Sequence, residues 1–143
     1  MGADEDVRRR NAGLRGRIVA KTAEEMLSHL DIKPDFDVVS KDAKGWRRIA
    51  WIHRKIEGED VYFLANPNRG GGVVSCSFRV AEGYPELFFP ETGCSYGPRR
   101  WRRADGRTEV EVPFADTGSC FVAFRRSPHS LPVFPEYETV SAV

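Results

Sequence analysis

The spacing of apolar residues changes once along this chain of 143 residues. A stripe at helical spacing comes first, formed by Ala23, Met26, Leu27 and Leu30. Thr22 and Glu25 before and within this stripe have the spacing of a capping box, which favours the start of a helix. Pro34 cannot continue a helix, so the pattern predicts one helix of about three turns that ends near Leu30 or Asp31.

From residue 36 onward the apolar pattern has a period of two. Seven stretches rich in β-forming residues are separated by turn residues about every ten positions. They span residues 47–56, 61–66, 73–80, 86–89, 94–103, 108–114 and 119–124. Asp105-Gly106 is a strong signal for a hairpin turn. The pattern predicts a mainly β chain: an antiparallel β-sandwich of about seven to eight strands, jelly-roll-like or Greek-key-like, with one short N-terminal α-helix.

The same pattern divides the chain into four parts. Residues 1–15 are charged and predict a flexible start, and residues 16–35 hold a short strand at 17–20 and the helix. Residues 36–127 form the predicted sandwich. Residues 128–143 contain several prolines and predict an irregular tail.

Charge and composition exclude several partners. The 22 basic and 21 acidic residues leave a net charge of +1, which gives no overall attraction to nucleic acid or to an anionic membrane. No apolar run approaches the roughly 20 residues that span a bilayer, and the polar N-terminus does not have the pattern of a secretory signal peptide. We therefore expect neither a nucleic-acid partner nor a membrane.

The three cysteines predict no metal site. Cys76, Cys94 and Cys120 are odd in number and lack the spacing of metal ligands, so we expect buried free thiols. One disulfide stays open as an alternative if the protein is exported. The glycine-rich stretch at 67–72 has no following Lys-Ser or Lys-Thr, which excludes a phosphate-binding loop, and no cofactor is expected.

Several short stretches occur in an order that resembles a known family. They are GRIV at 16–19, IKPDF at 32–36, WIHR at 51–54, DVYFLAN at 60–66, FRV at 78–80, PEL at 85–87, PETG at 90–93, GRT at 106–108 and SCFVAF at 119–124. This order is similar to the C-terminal part of glycoside hydrolase family 106, the bacterial α-L-rhamnosidases. The resemblance covers about residues 13–126. Phe88-Phe89 stands where the family tends to have Trp-Asp, so one acidic residue is missing from the shared pattern.

The resemblance implies that the catalytic residues lie in a different domain from the sandwich. The catalytic carboxylates of the family lie in an upstream (β/α)₈ barrel, and no stretch of this chain matches that region, so no catalytic residue or metal ligand carries over. Residues 16–31 would be the last strand and helix of the barrel, and residues 47–126 the sandwich beside it. The implied partner is a catalytic barrel domain or a partner chain, with polysaccharide as a further candidate. Intact family members are usually exported.

Hydrolysis of a glycosidic bond needs two carboxylates that face one sugar ring. The candidates are Asp60, Glu86, Glu91, Glu109 and Glu111. Glu109 and Glu111 alternate on one strand face and are close enough to form a pair, but a solvated face is the interpretation that we favour. Asp60 and Glu91 fall in predicted turns, where acidic residues commonly make local hydrogen bonds.

Four residues are candidates for carbohydrate binding: His53, Arg54, Tyr96 and Trp101. Adjacent strand residues face opposite ways, so His53 and Arg54 cannot serve one site directly. His53 would line the edge of a sugar pocket near the seam with the barrel, or would be a structural histidine bonded between strands. Tyr96 and Trp101, with the arginines around Trp101, would form a binding face, or a charged edge strand that resists aggregation.

The sequence thus favours a non-catalytic accessory β-sandwich domain of an α-L-rhamnosidase-type glycoside hydrolase, active only as part of a larger enzyme. A free-standing carbohydrate-binding or protein-interaction module is the first alternative. A small enzyme with an unrecognised site is the second. A sandwich fold is compatible with all three functions, so the choice depends on the site.

Overall fold

The computed structural model describes residues 22–40, 46–128 and 130–135. The chain forms two compact units, Met1–Pro34 and Asp35–Val143. The predicted strand at 17–20, the flexible start at 1–15 and the end of the tail beyond residue 135 lie outside the described residues. The predicted domain boundaries stay predictions.

The first unit contains the predicted helix, α1 (Ala23–His29). The Thr22 hydroxyl accepts a hydrogen bond from the Glu25 backbone N–H at 3.2 Å, which confirms the predicted N-terminal cap. The helix ends at Leu30, and Asp31 takes the left-handed conformation while the Ile32 N–H bonds to the Leu27 carbonyl at 2.9 Å. In the part of the chain that the structure describes, no helix has the length and apolar character needed to cross a membrane.

The second unit consists of two antiparallel sheets. Its elements are β1 (Phe36–Val38), a 3₁₀ turn (Trp46–Arg48), β2 (Ala50–Ile56), β3 (Glu59–Ala65), β4 (Gly72–Phe78), β5 (Tyr84–Phe89), β6 (Cys94–Tyr96), β7 (Trp101–Ala104), β8 (Arg107–Phe114) and β9 (Ser119–Arg125). The four-stranded sheet has the order β1-β4-β8-β7 and the five-stranded sheet the order β2-β3-β9-β5-β6. The prediction of a mainly β, antiparallel sandwich is confirmed.

Two tight turns set the register of the hairpins. Glu57 and Gly58 both have positive φ and join β2 to β3, so that His53 pairs with Tyr62. Asp105 and Gly106 do the same between β7 and β8. Two consecutive residues with positive φ are typical of the type I′ turn, whose twist matches that of the flanking strands.

The prediction of one strand over residues 94–103 is wrong. That stretch contains two strands: β6 lies at the edge of the five-stranded sheet, and β7 lies at the edge of the four-stranded sheet. Gly97-Pro98 separates them, and the proline has no N–H to continue a ladder, so the chain crosses from one sheet to the other here. Together with the short strand β1, this split raises the number of strands in the described residues to nine.

The core lies between the two sheets and is built by the predicted alternation. Val74, Cys76, Phe78 and Val80 are all buried, as are Val110, Val112 and Phe114 on the neighbouring strand. The ring of Phe78 contacts the rings of Phe36, Tyr62 and Phe124 with centroids 4.8–5.3 Å apart. Aromatic pairs at this spacing add to the stabilisation from buried area. Phe78 therefore connects the two sheets.

All three cysteines are free. Cys76 and Cys120 are buried as expected, and burial raises the pKa of both thiols. The expectation of burial is wrong for Cys94, which is exposed at the start of β6. The short edge strand leaves its outer side open to solvent.

Truncation of Phe78 should destabilise the sandwich strongly. Phe78→Ala removes the ring shared by both sheets and should lower the free energy of unfolding by about 3–5 kcal/mol, measured by urea denaturation. Val73→Ala is the matched control, since Val73 lies on the same strand with 49% of its surface exposed, and it should change stability by less than about 0.5 kcal/mol. Equal losses in the two variants would contradict the assigned core.

Candidate functional site

His53 lies between two carboxylates at the edge of the five-stranded sheet. Its Nδ1 is 2.8 Å from Asp35 Oδ2, and its Nε2 is 2.8 Å from Asp60 Oδ1. Asp35 directly precedes β1 in the other sheet, whereas His53 and Asp60 belong to the hairpin of β2 and β3. The three side chains therefore connect the two sheets at one edge.

Tyr62 is the fourth member of this polar cluster and contacts both His53 and Asp35. Its ring stacks on the imidazole of His53 with centroids 4.1 Å apart and an interplanar angle of 9°. Its hydroxyl donates to Asp35 Oδ1 at 2.8 Å. Arg79 Nε lies 3.6 Å from the same oxygen. Asp35 is thus contacted by three groups from three different strands or loops.

These contacts change the acidity of two groups. Burial opposes ionisation of Asp35, but the hydrogen bonds from Tyr62 and His53 outweigh it and hold the pKa of the carboxyl below its ordinary value. Burial raises the pKa of Tyr62, and the hydrogen bond to Asp35 raises it further. Ionised Asp35 and the neutral phenol are therefore the favoured forms.

The cluster links the start of β1 to the hairpin of β2 and β3. Both nitrogens of His53 contact carboxylates. Among the described residues, no group of three or more His, Cys, Asp or Glu side chains has an arrangement that could hold a metal ion. A role of His53 in carbohydrate binding stays a prediction.

Arg54 lies on the opposite face of β2, as the alternation requires. Its Nη1 donates to the backbone carbonyl of His53 at 2.9 Å, and its side chain is exposed. The two neighbours therefore do not share a site.

Tyr96 lies on β6, at the other edge of the five-stranded sheet from His53. Three strands separate the two edge strands, which puts the two residues on the order of 19 Å apart. The Tyr96 ring packs with Phe89 and Phe134 at centroid distances of 6.0 and 5.2 Å. It lines a cleft of about 540 Å³ at one end of the sandwich.

Trp101 begins β7 at the edge of the four-stranded sheet, so Tyr96 and Trp101 share neither a strand nor a sheet. The Trp101 ring is 37% exposed and contacts Tyr84 edge-on at 6.4 Å. The Arg103 guanidinium lies 5.2 Å from its centroid, within the range of a cation–π contact, and also donates to the Gly83 carbonyl.

The five candidate carboxylates all have partners. Glu109 accepts from Arg102 at 2.7 Å, and Glu111 lies 3.9 Å from Arg100, both across the β7–β8 pair. The others are Asp60 with His53, Glu86 with Arg125 at 2.9 Å, and Glu91 with the backbone N–H and hydroxyl of Ser119 at 3.1 Å. Glu109 and Glu111 thus lie on an outward face, where each acid has its own arginine.

Sequence reasoning missed Asp35 and Tyr62 as members of the His53 cluster. The predicted strands at 47–56 and 61–66 leave residues 57–60 as their connection, which would place Tyr62 out of register with His53. A two-residue turn at Glu57-Gly58 instead brings them opposite each other. The Glu-Gly dipeptide was the available signal, but nothing local indicated that Asp35 reaches the same point from another sheet.

Comparison with known proteins agrees with the fold and the order of motifs. The sequence model of the α-L-rhamnosidase family, glycoside hydrolase family 106, matches residues 3–97. The chain belongs to this α-L-rhamnosidase family. This family member resembles two relatives, one known from its sequence and one from a solved structure. A putative β-glucuronidase of Formosa agariphila is 29% identical over 127 residues, covering 87% of this chain and 11% of that protein.

A solved structure of a rhamnosidase also resembles this chain of the rhamnosidase family. The rhamnosidase from Novosphingobium sp. PP1Y superposes with a TM-score of 0.68 at 30% identity, covering 83% of this chain and 11% of that one. The chain therefore spans about a tenth of the length of each of these two relatives.

The Tyr62–Asp35 hydrogen bond should make a pH-dependent contribution to stability. The pKa of Asp35 in the folded protein is below its ordinary value of 3.8. The stabilisation that this hydrogen bond gives is therefore fully present above pH 3.8, and it is lost as the pH falls through the pKa of the folded state. Tyr62→Phe should therefore cost about 1.5–3 kcal/mol at neutral pH and much less well below pH 3.8, measured by denaturant unfolding. Tyr84→Phe, at an exposed tyrosine, should cost little at either pH. A loss for Tyr62→Phe that does not vary with pH would contradict this account.

Proposed function

We propose that this chain is a non-catalytic accessory β-sandwich domain of an α-L-rhamnosidase-type glycoside hydrolase and works as part of a larger enzyme. The observation that carries the proposal is the pairing of the five candidate carboxylates. A glycosidase needs one carboxyl group to protonate the leaving oxygen and a second to attack the sugar or to activate water, both facing one ring. Here each candidate contacts an arginine, the imidazole of His53, or backbone and hydroxyl donors instead.

The arginines opposite Glu109 and Glu111 are a specific obstacle to catalysis. An acid or base must lie within hydrogen-bond reach of the proton it transfers, and Arg102 Nε occupies that position on Glu109 at 2.7 Å. The pair also lies on the outer side of the four-stranded sheet, where the side chains of Glu109 and Glu111 are 27% and 31% exposed.

The outer face of the five-stranded sheet supports assembly with another part of an enzyme. One row of outward-facing residues crosses four strands in register: Ile52, Phe63, Phe121 and Phe88. We call it the aromatic row. The rings of Phe63 and Phe121 are 4.9 Å apart, those of Phe121 and Phe88 are 6.0 Å apart, and Ile52 is 50% exposed. A sheet face meant for water is typically polar, so an apolar row of this length favours a covering partner.

Charged residues lie beside the aromatic row on the same face of the sheet. Arg125 bonds Glu59 at 2.8 Å and Glu86 at 2.9 Å, joining strands β3, β9 and β5 on the same outer face. The hydrogen bond from Arg125 holds the pKa of Glu59 below its ordinary value. An apolar centre with a charged rim is the usual anatomy of a protein interface.

The length of the relatives supports a proposal for the covering partner. Each is roughly eight times as long as this chain, since a segment that covers 83–87% of this chain is 11% of its length. The catalytic part of such an enzyme is therefore the proposed occupant of the aromatic row. A free-standing carbohydrate-binding module is the second candidate, favoured by the exposed ring of Trp101 with the Arg103 cation above it.

The chain alone should not hydrolyse an aryl α-L-rhamnoside. We expect release of p-nitrophenol from p-nitrophenyl α-L-rhamnopyranoside to equal that of buffer, with the Novosphingobium rhamnosidase as the positive control. Turnover by the isolated chain that disappears in Glu109→Gln, Glu86→Gln or Glu91→Gln would refute the non-catalytic assignment. Glycan binding abolished by Trp101→Ala would instead favour the free-standing binding module.

The aromatic row should bind an apolar dye in the isolated chain. Phe121→Thr keeps a good β-forming residue on the strand and should cost at most about 1 kcal/mol of stability, while it removes the ring at the centre of the row. We expect a clear fall in the fluorescence of bound anilinonaphthalene sulfonate. Val73→Thr makes a similar change on the outer face of the other sheet and should leave the signal nearly unchanged. Equal signals from both variants would show that the row is not an accessible apolar surface.

A further inference from the structure

We infer that the cleft at the end of the sandwich that carries the β5–β6 and β8–β9 turns is a binding site for a neutral saccharide. This inference rests on the proposed function, because membership of a glycosidase family is what makes a sugar the ligand to test. The cleft has a volume of about 540 Å³, within the range of pockets that hold small molecules. It is lined by Phe89, Tyr96, Phe134, Glu91, Asp116, Thr92 and Thr117, among others.

Three aromatic rings form one wall. Phe89, Tyr96 and Phe134 are mutually in contact, with centroids 5.1–6.0 Å apart, and all three are only partly buried. Rings that pack on each other while part of their surface stays open give a rigid apolar platform. The C–H face of a sugar ring is the complementary surface, since it loses contact with water at little cost in hydrogen bonds.

Carboxylates form the polar side of the cleft. Glu91 uses Oε1 to accept from the N–H and hydroxyl of Ser119, and Asp116 uses Oδ1 to accept from the Gly70 N–H at 3.1 Å. These contacts orient each side chain and leave its second oxygen, Oε2 or Oδ2, without a hydrogen bond from the described residues. Charge-assisted hydrogen bonds from sugar hydroxyls would satisfy these oxygens.

The charge of the cleft selects the class of sugar. Two carboxylates attract hydroxyl donors and repel a sugar that itself carries a carboxylate. The lining therefore fits a neutral sugar ring and disfavours an anionic one.

The walls of the cleft are held by backbone hydrogen bonds before any ligand arrives. The Gly93 N–H bonds to the Phe89 carbonyl at 2.8 Å, and the Gly118 N–H bonds to the Ala115 carbonyl at 3.0 Å. The Gly97 N–H donates to the Pro132 carbonyl at 2.9 Å, and the Gly97 carbonyl accepts from the Phe134 N–H at 3.0 Å. These bonds form a parallel bridge between Gly97 and Val133, which holds the segment that carries Phe134 in place. A pre-formed site loses less entropy on binding than a flexible one.

The test is a titration of the full 143-residue chain followed by amide NMR shifts. Methyl α-L-rhamnopyranoside is the neutral probe and methyl β-D-glucuronide the anionic probe. We expect saturable shifts with the neutral probe at Thr92, Gly93, Asp116 and Thr117, and no saturable shifts with the anionic probe. Equal binding of both probes would overturn the assignment to a neutral sugar.

Variants assign the shifts to the cleft. Glu91→Gln keeps an oxygen for Ser119 but removes the charge, and Asp116→Asn does the same beside Gly70, so each should weaken binding by about tenfold. Glu82→Gln, at an exposed acid outside the cleft lining, is the matched control and should bind like the unaltered chain. Unaltered affinity in both cleft variants, or shifts that map to Trp101 instead, would refute the site.

The outcome separates the two proposals. Absence of saturable shifts with the neutral probe would overturn the saccharide cleft, while the accessory-domain proposal would still depend on the hydrolysis assay. Conversely, hydrolysis by the chain alone would overturn the accessory-domain proposal whatever the result of the titration.

Discussion

The hydroxyl of Tyr62 imposes the constraint on which one edge of this sandwich depends. The Tyr62 ring is fully buried against Phe78 and Phe124, and a buried hydroxyl without a partner costs free energy. Asp35 accepts its hydrogen bond, and this partly buried carboxylate in turn needs further donors. His53 and Arg79 supply them, and Asp60 takes the other nitrogen of His53. One phenol in the core thus organises a polar cluster that fastens the start of β1 to the β2–β3 hairpin.

The alternation of side chains was predictable because it depends only on local spacing. Val74 and Val112 fall in stretches whose apolar residues have a period of two, and both are buried. The cap at Thr22 was predictable for the same reason, since its partner is three residues away. Contacts between distant parts of the chain were not predictable: Asp35 meets His53 across 18 positions of sequence, and no local pattern marks such a pair.

The local sequence pattern also gave a wrong strand prediction where one continuous stretch contributes strands to both sheets. Residues 94–103 look continuous in the sequence, yet Pro98 ends the pairing of β6 and the chain continues in the other sheet. This error had a functional consequence, because it placed Tyr96 and Trp101 on one expected binding face. Tyr96 instead contributes to an aromatic wall with Phe89 and Phe134, and the contact with Phe134 comes from a tail segment that was expected to be irregular.

The β5 strand shows how the domain could bind a sugar and a partner at once. Phe88 belongs to the aromatic row on the outer face, whereas Phe89 points to the other side and contributes to the cleft. Covering the outer face with the catalytic part of an enzyme would bury Phe88 without filling the space beside Phe89. It would also hold β5 rigid from behind, which fixes the ring of Phe89 against which a sugar would pack. Assembly and saccharide binding would therefore support each other rather than compete for the same surface.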